Sequence, residues 1–199
     1  MSRRARGYTV IEVMIAVTLI TLGVSGVVAL QKVTTVANRD AQSLAIANQI
    51  ARTWLDRLRT DAVAWNLPSP SNPTGKDIDS DTQWLKMVDG AAGWFQPAYV
   101  EGWGGPAFDQ FGTDVSNTED PPKYCTHIRL QWLYGPPDIH PPPNLLRAEI
   151  RVFWLRDGVA LPEGMSGICD PSADPDQLGA LTDTFHFVYA TSAIKQNAH

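Results

Sequence analysis

Residues Tyr8 to Leu30 read YTVIEVMIAVTLITLGVSGVVAL, 23 residues in which Glu12 is the only charge. As an α-helix rising about 1.5 Å per residue, the run spans about 34 Å, enough to cross a hydrocarbon layer of about 30 Å. In lipid every backbone N–H and C=O must be satisfied within the chain, which demands a helix. Arg3, Arg4 and Arg6 precede the run. Basic residues favour the cytoplasmic side, so the segment is expected to enter the membrane with its N-terminus inside the cell. A cleaved secretory signal has an apolar region of about 7–15 residues that ends in a small-residue cleavage site. This run is longer and flows into an amphipathic pattern. A plain anchor leaves Glu12 unexplained, because a carboxylate within an apolar span is costly and marks a functional position. The length and the basic flank also argue against a buried core helix.

The string Arg6-Gly7-Tyr8-Thr9-Val10-Ile11-Glu12-Val13 resembles the processing site of type IV prepilins and type II secretion pseudopilins. The resemblance implies that a prepilin peptidase cuts after Gly7, that Tyr8 becomes an N-methylated terminus, and that Glu12 is the fifth mature residue. Two positions depart from the usual pattern: Tyr8 stands for Phe and Val10 for Leu, and both keep the aromatic or apolar character. Cleavage creates a positive amine at Tyr8. In a fibre core that amine and the Glu12 carboxylate of a neighbouring subunit would pair, because low dielectric strengthens their attraction and an unpaired charge there is costly. Such a pair sets the stagger between subunits more than it adds stability.

Past Leu30 the apolar residues thin to a stripe of Leu30, Val33, Ala37, Leu44, Ala47, Ala51, Trp54, Leu55 and Leu58. Gaps of three or four are one face of a helix, and such a face is core by default. No proline occurs before Pro68, so the helix is expected from about Thr9 to about Asp61. Many major pilins carry a proline in the first half; here Gly23, Ser25 and Gly26 are the weak points. Over residues 7–65 the chain also resembles PilV-type minor pilins and GspI-type minor pseudopilins.

The expected organisation is a basic leader at 1–7, a transmembrane and assembly half-helix at 8–30, an amphipathic half-helix at 31–65, and a head at 66–199. Within the head, 66–123 is a loop-rich insertion and 124–191 an antiparallel sheet. The insertion is broken by prolines and glycines yet carries Trp84, Trp94, Phe95, Trp103, Phe108 and Phe111, with a short helical piece near Thr82–Val88. Those aromatics read either as plugs for a small core or as an exposed contact surface. Three runs alternate at period two: Tyr124–Tyr134, Arg147–Leu155 and Thr182–Thr191. In the second, Ala148, Ile150, Val152 and Trp154 point one way, and Arg147, Glu149, Arg151 and Phe153 the other.

Formal net charge is −5 and falls to −8 without the three leader arginines. An acidic chain is a poor generic binder of phosphate backbones, so no direct nucleic-acid binding is expected. The two cysteines, Cys125 and Cys169, are too few for a structural zinc site; in an exported head an even count favours a disulfide between them. Asp77, Asp79 and Asp81 begin a D-x-D-x-D pattern, but a calcium loop needs glycine where Thr82 stands and glutamate where Val88 stands. Asp170, Asp174 and Asp176 read as turn formers. His127, His140, His186 and His199 include no i, i+4 pair; His127 and His186 are expected to face outward from strands. No catalytic constellation, metal site or cofactor is expected.

These readings converge on an α+β type IV pilin fold, a long N-terminal helix packed on a small antiparallel sheet, and on a structural protein that is not an enzyme. The resemblance implies a minor pilin that primes a type IV pilus, a surface fibre of motility and adhesion, and sits at or near its tip. Implied partners are other minor pilins, the major pilin, a PilY-type tip adhesin, the inner-membrane assembly platform and the prepilin peptidase. The chain would be a single-pass inner-membrane protein with a periplasmic head before joining the surface fibre. One alternative is a minor pseudopilin of type II secretion, whose heads tend to be smaller. The other is a ligand-binding tip pilin, an adhesin or a DNA-uptake subunit, which an exposed aromatic patch with basic neighbours would support.

Overall fold

A computed structural model of the chain describes residue 7 and residues 9–67, 78–90, 93–115, 121–133 and 145–196. In chain order the elements are α1 (Val10–Asn66), α2 (Ile78–Asp81), a 3-10 turn (Leu85–Val88), β1 (Ala107–Phe108), β2 (Tyr124–Trp132), β3 (Leu145–Leu155), α3 (Pro175–Leu178) and β4 (Phe185–Lys195). The chain divides into two compact units, Met1–Ser43 and Leu44–His199.

In the first unit, residues 10–42 are exposed along the whole helix. Its polar side chains are dealt with locally. Thr18 donates to the Met14 carbonyl, Thr21 to that of Val17 and Ser25 to that of Leu22, each at 2.8 Å. A hydroxyl bonded to its own helix brings no unsatisfied donor into lipid.

In the second unit, α1 covers one face of a four-stranded antiparallel sheet ordered β1-β2-β3-β4. Burial on α1 begins at Ala47 and continues through Ile50, Ala51, Trp54, Leu58, Asp61, Ala62 and Trp65. The expected stripe is therefore corrected at its start: Leu30, Val33 and Ala37 are exposed, and Leu44 is nearly half exposed. The reason is length. Strands of 9–11 residues span about 30–36 Å, which matches about 20 residues of helix and no more. The stripe also runs past the expected end at Asp61, because Ala62 and Trp65 stay on the buried face.

The sheet's α1-facing side carries Leu146, Ala148, Ile150 and Val152 from β3 with Ile128 and Leu130 from β2 and Val188 and Ile194 from β4, all buried. His127 was expected to face outward from its strand, and Arg147, Glu149, Arg151 and Phe153 to point away from the apolar side of theirs. Instead His127, Glu149, Arg151 and Phe153 are buried. Two loops account for this. The segment around Phe95 adds to the β2 edge through paired hydrogen bonds with Ile128 at 2.8 and 2.9 Å, and the Cys169 loop is tied to β2. The predicted strand Tyr124–Tyr134 stops at Trp132, Tyr134 lying outside the described residues. The predicted Thr182–Thr191 strand instead begins at Phe185 and runs on to Lys195. The two-residue β1 carries too short a pattern to be read from sequence.

Candidate functional site

The site the sequence singles out is the start of α1. Thr9 and Glu12 form a reciprocal cap. The Glu12 amide donates to Thr9 Oγ1 at 3.3 Å, and the Thr9 amide donates to Glu12 Oε2 at 3.2 Å. This threonine-to-glutamate spacing satisfies two of the donors that every helix N-terminus leaves open, and it places a carboxylate at the positive end of the helix dipole. Glu12 is thus exposed and held in one place. Gly7 is exposed one turn earlier; Tyr8 lies outside the described residues. No part of the most apolar stretch of the helix is buried.

The head is built around buried polar anchors that the sequence reading missed. Asp61, 1% exposed, accepts from the backbone amides of Gln83, Trp84 and Leu85 at 2.7, 2.9 and 3.0 Å. It thereby fastens the 3-10 turn to α1. One signal was available: Asp61 falls three residues after Leu58, so a carboxylate sits on the apolar stripe. Arg57 lies over the rings of Trp54 and Phe108 at 4.9 and 5.6 Å and ion-pairs with Asp114. Gly104, at φ +102°, lets the chain pass so close to this pair that a side chain there would strike Arg57. Trp54, Trp84 and Trp103 pack edge to face at 5.0 and 5.8 Å. The insertion aromatics therefore divide: Trp84 and Phe108 are core, Trp94 and Phe95 are partly buried, and Trp103 and Phe111 are exposed.

Cys125 and Cys169 are bonded, with Cα atoms 5.2 Å apart. The loop beyond is stiffened by Asp170, which accepts from the amide and hydroxyl of both Ser166 and Ser172 at 2.6–2.8 Å. Those hydrogen bonds, the Ser172 hydroxyl first, hold its carboxyl well below the usual range. Asp174 caps α3 through the Asp176 amide. Asp170 and Asp174 are thus turn formers, as read; Asp176 instead reaches toward Trp94, whose amide lies 3.5 Å from its carboxylate.

On the outer sheet face, Arg151 donates to the Pro175 carbonyl and meets His127 Nδ1 at 2.8 Å. Burial, with the Arg151 charge as a second cause, lowers the His127 pKa to about 3. Burial likewise lowers that of Arg151. Trp94 covers both Arg151 and Arg129, at 4.6 and 4.9 Å. Glu149 is shared between Arg129 and Arg147. His186 stacks on Trp154 at 5.2 Å. Asp77, His140 and His199 lie outside the described residues, and among the described residues no three His, Cys, Asp or Glu side chains converge as a metal site would require.

In comparison with protein families, residues 2–28 are similar to the prokaryotic N-terminal methylation motif. That motif and the apolar helix behind it support a type IV pilin-like or pseudopilin protein, a structural rather than catalytic role, and inner-membrane anchoring before assembly. No curated protein and no solved structure matches the chain.

Proposed function

We propose that the chain is a PilV-type minor pilin that primes assembly of a type IV pilus and is incorporated at or near its tip. The observation that carries this reading is the exposed apolar helix after the methylation motif, with Glu12 fixed at its start by Thr9. Outside lipid such a surface must be covered by protein, and a bundle of like helices from other subunits is the cover that matches it. Cleavage between Gly7 and Tyr8 frees the amine that Glu12 of a neighbour meets. Partners on this reading are the major pilin, other minor pilins, a PilY-type adhesin, the assembly platform and the prepilin peptidase. The second reading, a minor pseudopilin of type II secretion, shares this chemistry. The loop-rich insertion between α1 and β2 favours the pilus, because minor pseudopilin heads tend to be smaller.

The deciding experiment deletes the gene and measures surface pili and secreted type II substrates in parallel. Loss of pili with secretion intact, and recovery of the mature chain in sheared fibres, is the expected result. The opposite pattern assigns the chain to the secretion machine.

A further inference from the structure

Several polar side chains of the head have a packing role: Asp61, Arg57, Asp170 and Arg151 each anchor a loop. Beside the Arg151–Trp94 stack lies a surface that this packing leaves open. Trp94 and Tyr189 meet at 6.0 Å, and Tyr189 is 58% exposed. Register places Arg129 level with Glu149 and Thr191 across three strands, and Gln131 level with Arg147 one step along. Gln131, Arg147 and Thr191 are exposed, and the Arg129 and Arg147 side chains retain 33% and 45% of their surface. The result is a polar stretch of the sheet face with an aromatic wall at one end.

Charge decides what this face suits. Arg129 and Arg147 share the single carboxylate of Glu149, so the trio keeps one positive charge in a protein whose net charge is −5. Glu149 also holds both guanidiniums in fixed orientation, so their ordering cost is already met. From Arg151, level with Tyr189, to Arg147 is four residues, about 13 Å along the strand. We propose that this face binds an acidic saccharide: a sugar ring lies on the exposed Tyr189 ring beside Trp94, and a carboxylate on the same or the next sugar pairs with Arg147. Gln131 and Thr191 face the hydroxyls between. A polynucleotide fits less well, because the few cations of this face neutralise only a few phosphates and the acidic chain repels the others. An apolar peptide segment would need apolar partners, and the exposed Gln131, Arg147 and Thr191 here are polar.

The inference is independent of where the subunit sits in a fibre, and its failure leaves the pilin reading untouched. The test uses the full chain in detergent micelles and saturation-transfer NMR. The probes are a hyaluronan tetrasaccharide, trigalacturonate and 3′-sialyllactose, each with its carboxyl-reduced counterpart. At least one acidic probe is expected to receive saturation on its ring protons, and its reduced form to bind at least tenfold more weakly. Tyr189→Ala and Arg147→Ala should each weaken binding at least tenfold with an unchanged circular dichroism spectrum. Tyr189→Phe, which keeps the ring, should retain binding even if the alanine variant folds poorly. Binding by none of the three probes, equal binding of reduced forms, or undiminished binding by folded Arg147→Ala overturns the proposal. Equal binding of a polyglutamate peptide also overturns it, assigning the face to an acidic protein segment.

Discussion

Arg151 Nη2 lies 2.8 Å from Nδ1 of His127, with both side chains buried. Arginine has only donors, so Nδ1 must be the acceptor and the imidazole must be neutral. Protonating His127 would set two donors and two positive charges against each other in a dry site.

Stability should therefore depend on pH in a defined window. The folded-state pKa of His127 is about 3 against 6.5 unfolded. Below pH 6.5 the unfolded state binds the extra proton, so stability present above that pH is lost progressively as pH falls toward 3, at up to about 1.4 kcal/mol per pH unit. Thermal melts from pH 7.5 to 4.5 should show falling Tm, and His127→Gln, which keeps an acceptor, should flatten the slope. A variant slope equal to the parent's would show that other groups govern the acid limb.

Asp61→Ala should cost about 3 kcal/mol, since the buried amides of Trp84 and Leu85 and the part-buried amide of Gln83 lose their carboxylate acceptor. Chemical denaturation would read the shift, and proteolysis should reach the 83–88 turn first. Asp61→Asn, which retains one acceptor oxygen, should cost less. A loss below about 1 kcal/mol would mean that the turn finds other partners.

In exported protein the Cys125–Cys169 pair should be oxidised. Mass measurement with alkylation before and after reduction should find no free thiol until reductant is added. The bond closes a loop with a sequence separation of 44, worth about 4 kcal/mol by chain entropy. Cys125→Ala with Cys169→Ala should lower stability by that order and loosen the 165–181 loop. Free thiols in native material would overturn this expectation.

N-terminal sequencing of the mature chain should begin at Tyr8. A terminus downstream of Leu30 would indicate an ordinary signal peptide and defeat the pilin reading.

Glu12→Ala should leave insertion and cleavage intact, because removing a charge makes the span easier to place in lipid and the leader with Gly7 is unchanged. Incorporation should fall several-fold, because a neighbour's amine loses its counter-charge in a dry core. The measurement is the ratio of mature chain in sheared pili to that in the membrane. Equal ratios for parent and variant would remove Glu12 from the assembly contacts. Thr9→Val tests the cap separately, since it keeps the carboxylate while deleting the hydroxyl that accepts the Glu12 amide.

The class of this protein was legible from residues 3–30 alone. A basic flank, a glycine, one carboxylate and an unbroken apolar run are local features, and their meaning depends on membrane thickness and helix rise, not on the rest of the chain. The three long strands were legible for the same reason, because alternation at period two is written into adjacent residues. So was the Cys125–Cys169 bridge, which an even cysteine count in an exported head favours. The second half of the core was not legible. His127 reads as an outward-facing strand residue, and Trp94 lies 57 residues before Arg151 with no pattern joining them. Only folding brings a loop over that face, turning an outward histidine into a buried acceptor and leaving Tyr189 and Arg147 at the edge of the cover. Long-range placement of this kind is set by which surfaces remain to be buried once the helix and sheet have packed, and that depends on the whole chain at once.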